Sequence, residues 1–236
     1  MNRFVRIFLL NLHVLPGIYF RLRRMIRRPQ RYSHMEKWQH LRRIAQLMVK
    51  SGNVDLQVSG LENIPQEEGF VLYGNHQGMF DIVAVVSSCP RPLGAVYKKE
   101  LKNVPLLKDF FAVTNSFAMN REDVRQSLTV IQNVTAQVTQ GHSYAIFPEG
   151  TRSKKGNEMN EFHPGSFRAA VKAKCPIVPM AFIDCFKPLD QKGSAPVSVQ
   201  LHYLSPIPYE EYKDLKTPEL AQLVQSRIAA VIAANT

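Results

Sequence analysis

Cysteine is scarce in this sequence, and the few thiols are not spaced like metal ligands. Cys89, Cys175 and Cys185 form an odd set, which favours a reducing compartment over a disulfide-stapled secreted fold. The seven histidines are scattered and form no ligand cluster. A Gly-x-Ser-x-Gly turn, which presents the serine nucleophile of many hydrolases, is also missing. We therefore expect no metal, no cofactor and no serine nucleophile of the hydrolase type.

Acidic residues are nearly missing from the first fifth of the chain. Residues 1–50 hold twelve Lys or Arg and one acidic residue, whereas the remaining 186 residues hold 18 basic and 18 acidic residues. The net charge of +11 therefore lies entirely in this segment. Six of its arginines fall within eleven positions: Arg21, Arg23, Arg24, Arg27, Arg28 and Arg31. Such a basic segment indicates an anionic partner, either a membrane or a nucleic acid.

The chain has no apolar run long enough for an ordinary transmembrane helix. The best candidate, residues 4–20, spans about 25 Å as a helix, against about 30 Å for a hydrocarbon core. It also contains Arg6, Asn11 and a Pro16-Gly17 break. A signal peptide is disfavoured because no small-residue cleavage site follows and because the arginines come after the apolar run. An interfacial anchor fits better, with apolar side chains in the acyl boundary and arginines at anionic headgroups.

A second amphipathic helix is predicted from about Ser33, a favourable N-cap, to Lys50. Residues 1–50 would then form a basic helical anchor, peripheral on the cytoplasmic side of the cell membrane and bound to anionic lipid. The alternatives are two ordinary core-packing helices with a solvated basic face, or an arm that binds nucleic acid. Because the aromatic residues lie mostly in apolar runs and not among the arginines, where stacked bases need them, we expect no nucleic-acid partner.

Residues 51–236 predict a single α/β domain, because strand and helix patterns alternate without an internal repeat or linker. Strands are expected at 54–58, 69–74, 94–97, 111–119, 143–147, 176–183 and 196–204. Helices are expected at 80–88, 122–139, 165–174 and 218–233. The predicted fold is a largely parallel, mixed sheet of about seven strands flanked by helices, preceded by the two-helix membrane-interface segment.

One polar cluster follows a predicted buried strand. His76 is expected at the strand end, and Asp81 in the first turn of the next helix. A straight helix sets residues five apart at about 140°, so a turn at Gly74 and Gly78 brings the pair together better. A carboxylate on one ring nitrogen fixes the tautomer and stabilises the imidazolium, which makes the pair a candidate general base. The alternative is a structural histidine beside a helix-start carboxylate.

A second polar cluster, about seventy residues further on, has the composition of an anion-binding turn. The apolar run 143–147 fits a strand that Pro148 ends, and Gly150 permits an unusual backbone angle. Arg152 carries a permanently charged fork that suits phosphate oxygens. Glu149 is able either to orient Arg152 or to bind a substrate hydroxyl. The alternative is an ordinary strand exit with a solvated arginine.

Taken together, these blocks resemble the glycerolipid acyltransferase family of the bacterial lysophosphatidic acid acyltransferase type. The first family block, Asn-His-x-x-x-x-Asp, matches residues 75–81, and the third, Phe-Pro-Glu-Gly-Thr-Arg-Ser, matches residues 147–153 without a change. The second block ends in Arg121, preceded by Asn120 where the family commonly has Asp. The fourth block, an apolar strand that carries a proline, matches residues 176–182.

Two further elements bear on the resemblance. An upstream lysine before a Leu-rich turn is matched by Lys99 and by Val104-Pro105-Leu106. A later element, Phe-Lys-x-Gly in many members, reads Phe-His-Pro-Gly at residues 162–165, so this chain has no lysine there.

The resemblance implies transfer of a fatty acyl group from a thioester to the free hydroxyl of 1-acyl-sn-glycerol-3-phosphate, giving phosphatidic acid. It implies His76 as the base, Asp81 as its orienting carboxylate and Glu149 as the residue that fixes the glycerol end. The residues implied in acceptor binding are Lys99, Arg121, Gly150, Thr151 and Arg152. The donor is either an acyl-carrier-protein or a coenzyme A thioester. Another lysophospholipid or glycerol-3-phosphate as acceptor, and a catalytically dead lipid-binding member, remain the alternatives.

Overall fold

The computed structural model describes residues 2–67, 69–104, 107–120 and 122–236, and its centre is a seven-stranded sheet. The strands are β1 (Val54–Ser59), β2 (Val71–Gly74), β3 (Leu93–Lys98), β4 (Phe117–Met119), β5 (Ser143–Ile146), β6 (Ile177–Ile183) and β7 (Val197–Tyr203). Their order across the sheet is β1-β7-β6-β2-β5-β3-β4. The strands from β2 to β6 are parallel, whereas β7 is antiparallel to β6 and carries β1 parallel to itself. The predicted mixed, largely parallel sheet is confirmed.

The five parallel strands end at one edge of the sheet, which we call the carboxyl edge. β1 and β7 begin at this edge, because they run in the opposite direction. In open α/β sheets, ligands bind beyond the carboxyl ends of the strands. The loops after β2, β5 and β6, which are neighbours in the sheet, therefore meet where a site is expected.

Helices cover both faces of the sheet. They are α1 (Arg3–Asn11), α2 (Leu15–Arg27), α3 (His34–Ser51), α4 (Phe80–Ser88), α5 (Leu107–Val113), α6 (Val124–Thr139), α7 (Arg168–Ala173), α8 (Lys187–Asp190), α9 (Tyr209–Tyr212) and α10 (Thr217–Asn235). Single 3₁₀ turns occupy Pro29–Arg31, Leu61–Asn63, Lys99–Asn103 and Pro164–Phe167.

Side chains of β2 alternate between two apolar layers, as the period of a strand requires. Leu72 packs with α3 and α4 on one face, whereas Val71 and Tyr73 pack with α6, α7 and α10 on the other. Helix α4 is buried at every position except Ile82, because it lies between the sheet and α3. An apolar run without a polar face suits this fully enclosed position.

One predicted element is wrong. The run 111–119, expected as a strand, instead contains the end of α5 and only a short strand, β4. Short apolar runs fit a buried helix as well as a buried strand, so periodicity alone could not decide between them. Asn115 has a φ of 53°, in the left-handed region, and it reverses the chain between the two elements.

The first predicted helix is broken into α1 and α2, which are bent by 88°. Among the described residues, no single helix has both the length and the apolar character of a membrane span, and only this bent pair passes that test, by length and composition. The second predicted helix is confirmed as α3. Ser33 caps it in a reciprocal capping box with Glu36.

Trp38 joins α3 to the domain core. Its side chain is buried, and its indole N–H donates to the Cys89 carbonyl at 3.0 Å, just beyond α4. Helix α3 therefore packs into the same core as the sheet, although the sequence assigned it to the anchor. The predicted boundary at residue 50 stays a prediction, because a packing contact does not tell where function divides.

Trp38→Ala is expected to lower the free energy of unfolding by about 3–5 kcal/mol, because it leaves a large cavity and an unpaired carbonyl. Urea denaturation followed by circular dichroism measures the change. Gln39→Ala, at the exposed neighbouring position, is the control and should stay within about 0.5 kcal/mol. A loss below about 1 kcal/mol for Trp38→Ala would show that α3 contributes little to the core.

Candidate active site

His76 and Asp81 form a hydrogen-bonded pair at the carboxyl edge. His76 lies two residues beyond the end of β2, and Asp81 lies in the first turn of α4, as the sequence predicted. His76 Nδ1 is 2.7 Å from Asp81 Oδ2. An ionised carboxylate only accepts hydrogen bonds, so Nδ1 carries the proton and the neutral ring presents its lone pair at Nε2.

The Asp81 carboxylate is fully buried and is held by backbone donors as well as by the histidine. Oδ2 accepts from the N–H groups of Gln77 at 2.7 Å and Gly78 at 3.0 Å. Oδ1 has no hydrogen-bond partner among the described residues. Burial with three donors on one oxygen fixes both the carboxylate and the imidazole that it orients.

The imidazole of His76 is supported on one face and open at its free nitrogen. Its ring stacks on Phe147, which follows β5, with centroids 4.4 Å apart and planes 25° apart. The side chain is 24% exposed, and within the described part of the chain Nε2 has no hydrogen-bond partner. The arrangement can therefore accept a proton at Nε2 from a group that enters from the carboxyl edge.

Glu149 ties the two motif loops together. Its buried carboxylate accepts from the backbone N–H of His76 at 2.7 Å through Oε1 and from that of Asn160 at 2.9 Å through Oε2. Burial raises the pKa of Glu149 above its ordinary value, partly offset by these two hydrogen bonds. Of the two alternatives from the sequence, orientation of Arg152 is not what the structure shows, because Arg152 has another partner.

Arg152 pairs with Asp190 at the end of α8. The second oxygen of Asp190 accepts from the backbone N–H of Met79 at 2.8 Å, three residues beyond His76. The backbone N–H of Ser153 donates to the His76 carbonyl at 2.9 Å, so the residue after Arg152 touches the histidine loop directly. The structure therefore brings the predicted guanidinium and the predicted imidazole to one edge of the sheet.

The remaining predicted residues differ in how they are placed relative to Arg152 and His76. Gly150 has a φ of 71° and donates from its N–H to the Phe147 carbonyl at 3.0 Å, which closes the turn that carries exposed Thr151. Lys99 follows β3 at the same edge and is exposed. Arg121, like Pro105 and Leu106, lies outside the described residues.

A polar network that the sequence did not reveal supports the histidine loop from β6. The buried Gln77 side chain accepts from the Cys185 N–H at 2.8 Å and donates to Asn157 at 2.8 Å. Asn157 also accepts from the N–H of Asp184 at 2.8 Å. Gln77 lies within the first family block, but no local sequence pattern indicates its distant partners, Asn157 and Cys185.

The thiols do not take part in the histidine pair. All three cysteines are buried, and burial raises the pKa of Cys89 and of Cys175 to about 12. Burial, with Asp81 and Asp184 nearby, also raises the pKa of Cys185. Among the described residues, His, Cys, Asp and Glu form no group of three or more that could hold a metal ion.

The carboxyl edge of this α/β sheet carries a buried carboxylate–histidine pair and an arginine. These groups define a protein that can carry out general-base chemistry on a substrate that bears an anion. The chain belongs to the acyltransferase family: the family model described as Acyltransferase matches residues 55–183.

Among the relatives are proteins named 1-acyl-sn-glycerol-3-phosphate acyltransferase. The one from Borreliella burgdorferi is 28% identical over 127 residues, which cover 54% of this chain and 50% of the relative. The one from Saccharomyces cerevisiae is 29% identical over 149 residues, covering 62% and 49%. The chain thus matches about half the length of these curated relatives.

A solved structure shares the fold. The 1-acyl-sn-glycerophosphate acyltransferase PlsC from Thermotoga maritima aligns over 97% of this chain and 94% of its own, with a TM-score of 0.77 and 21% identity.

Glu149 makes the stability of the fold depend on pH. Because its pKa is raised on folding, the folded state binds more protons than the unfolded state above pH 4.5, the ordinary value. We therefore compare the free energy of unfolding of wild type with that of Glu149→Gln. The stability of wild type relative to this variant is expected to fall as pH rises from 4.5 through the raised pKa of Glu149. Above that pKa the difference should stay constant. Paired urea titrations from pH 4 to pH 8 measure this difference. A difference that grows with pH would contradict a raised pKa.

Proposed function

We propose that this protein transfers a fatty acyl group from an acyl thioester to the free hydroxyl of 1-acyl-sn-glycerol-3-phosphate, forming phosphatidic acid. The observation that carries the proposal is the His76–Asp81 pair with Arg152 beside it, in a chain of the acyltransferase family. The names of its relatives support the acceptor.

In the proposed reaction His76 acts as the base. Its Nε2 takes the proton of the acceptor hydroxyl as that oxygen attacks the thioester carbonyl carbon. A C–O bond forms, the C–S bond breaks, and the imidazolium returns the proton to the departing thiolate. Asp81 holds the ring through Nδ1 and stabilises the imidazolium. General-base catalysis of this kind contributes about 10²- to 10⁴-fold.

The acceptor phosphate is proposed to bind Arg152, with the turn at Gly150 and Thr151 beneath it and Lys99 and Arg121 completing the charge. A guanidinium offers paired N–H donors to phosphate oxygens. Glu149 is proposed to act through His76, because both of its oxygens already accept backbone N–H groups. In this role Glu149 holds the histidine loop in the position from which Nε2 reaches the acceptor hydroxyl.

The proposed function is tested by acyl transfer assays that cross acyl-carrier-protein and coenzyme A donors with several acceptors. Transfer to 1-acyl-sn-glycerol-3-phosphate is expected to exceed transfer to glycerol-3-phosphate and to other lysophospholipids. His76→Ala is expected to lower kcat by at least about 10³-fold, because the base is lost, while the variant still folds and keeps the wild-type circular dichroism spectrum. Transfer only to another acceptor would overturn the proposed substrate, and full activity of His76→Ala would remove His76 as the base.

We also propose that α1 and α2 attach the protein to an anionic membrane, peripherally and on the cytoplasmic side. Large apolar side chains are exposed on α1, at the bend after it and in the first half of α2: Phe4, Val5, Phe8, Leu9, Leu10, Leu12, Tyr19 and Phe20. The polar side chains of α1 face inward: Arg3 and Asn11 are buried, and Arg3 donates to the carbonyls of Gly52 and Ala195. An ordinary solvated helix has the opposite arrangement.

The position of α1 supports this proposal. Gly52 and Ala195 each lie two residues before a strand, β1 or β7, that begins at the carboxyl edge. Helix α1 therefore lies at the same edge of the sheet as the histidine pair, and it contacts α8. A lipid acceptor in a bilayer bound by α1 and α2 would have a short path to Nε2. The arginines that follow would meet anionic headgroups, each contributing about 1 kcal/mol.

The double variant Phe8→Ser with Phe20→Ser is expected to weaken binding to phosphatidylglycerol vesicles at least about tenfold, because two exposed rings leave the acyl boundary. These side chains are 55% and 71% exposed, so the fold should tolerate the changes. Leu61→Ser is the matched control, since exposed Leu61 follows β1 at the opposite edge. Vesicle sedimentation measures binding. Unchanged sedimentation of the double variant, with tight binding of duplex DNA, would favour the nucleic-acid alternative.

A further inference from the structure

Asp190 fills the space between the two motif loops. It is the last residue of the four-residue helix α8, which follows β6. One carboxylate oxygen pairs with Arg152 of the third block, and the other accepts from the N–H of Met79 in the first block. The approach is close: a Cβ atom on Gly78 would lie 2.5 Å from Asp190 Oδ2 and 2.9 Å from the Phe186 Cα, so a larger residue there would force the backbone to shift.

The two donors that hold Asp190 are those that hold a phosphate in many proteins. Met79 is the N-cap of α4, and the N-terminus of a nine-residue helix favours an anion through its unpaired N–H groups and its dipole. The Arg152 guanidinium adds a fixed positive charge with parallel N–H donors. An anion position is thus formed at the carboxyl edge, and a carboxylate of the protein itself occupies it.

We propose that Asp190 is an internal competitor for the acceptor phosphate, which displaces it from Arg152 and from the Met79 N–H when the acceptor binds. The inference rests on the proposed function only for the identity of the ligand. It assigns the phosphate position to the gap between α4 and Arg152, and it gives Asp190 a part in acceptor selection.

Displacement is favoured where an ion pair is open to solvent and where its carboxylate lies at the end of a helix, and Asp190 meets both conditions. The side chains of Arg152 and Asp190 are 37% and 25% exposed, and ion pairs so open to solvent contribute little to stability. Asp190 ends its helix, and the chain continues into an exposed segment in which Gly193 has a φ of 106°. Lys187, on the same helix, is already paired with Asp184 at 2.8 Å. A phosphate carries more charge and more acceptor atoms than the carboxylate it replaces.

The consequence is a filter on the acceptor headgroup. An acceptor with an anionic phosphate exchanges one anion for another at Arg152. An acceptor without one leaves Asp190 in place, and the carboxylate then keeps the position between the Met79 N–H and Arg152. Asp190 is therefore expected to lower affinity for every acceptor while it penalises uncharged acceptors most.

The test measures binding of glycerol 3-phosphate to the full chain by calorimetry, in wild type and in Asp190→Asn. Asparagine keeps the shape and can still accept from Met79, but it lacks the charge. The dissociation constant is expected to fall at least fivefold, and the KM for the phosphate-bearing acceptor is expected to fall with it. In an Arg152→Ala background the same change should give a smaller gain, because one of the two shared donors is gone.

Glu158→Gln is the matched control, since it removes one negative charge from an exposed position in the loop that follows Arg152. Binding should change less than twofold in this control. Unchanged binding in Asp190→Asn would overturn the inference, and weaker binding would overturn it by showing that Asp190 positions Arg152 instead. An equal gain in Glu158→Gln would also overturn it. Since calorimetry needs no turnover, a failed acyl transfer assay would count against the proposed function alone.

Discussion

The buried charge of Asp81 is the constraint around which this site is built. A carboxylate without access to water has to be matched by donors, and Oδ2 accepts from one ring nitrogen and two backbone N–H groups. All three donors come from the three residues His76, Gln77 and Gly78. The chain can offer them together only if it folds back between the end of β2 and the first turn of α4. The five-residue spacing, which suits no straight helix, suits this turn.

The sheet order explains how blocks distant in sequence come to share hydrogen bonds. β5 and β6 both lie beside β2, so the loops that follow these three strands leave the sheet side by side. Glu149 and Ser153 then reach the backbone of His76. On the β6 side, the Asn75 amide both accepts from the Phe182 N–H and donates to the Phe182 carbonyl. The histidine loop is thus fixed on both sides by buried side chains, Glu149 and Asn75, that bind backbone groups.

The sequence predicted the structural features that have a local sequence pattern. It missed the contacts that depend on residues distant in the chain. The helix over residues 80–88 and the N-cap at Ser33 carry local signals, and both are confirmed. The segment 111–119 carries an ambiguous one, and its helix was missed. Asp190 lies in a short helix of unremarkable composition, more than a hundred residues from Met79, so no local pattern could have paired them.

Glu149 shows the same limit in a different way. In sequence its nearest charged neighbour is Arg152, and an ion pair between them is the simplest expectation. Glu149 is buried, however, whereas Arg152 is partly exposed, and backbone N–H groups of His76 and Asn160 are the donors within its reach. Burial, which a sequence does not display, decided the partner.

The chemistry of the thiols argues for a direct transfer in the proposed reaction. Cys185 is the thiol whose surroundings include Asp81, and it would be the natural candidate for an acyl-enzyme intermediate. Burial and two carboxylates nearby hold it in the thiol form, and a thiol without a thiolate is a poor nucleophile. The group left to attack the thioester is then the acceptor hydroxyl, with His76 as its base. Both substrates must therefore occupy the carboxyl edge at once, which requires an open edge and a histidine whose free nitrogen faces outward.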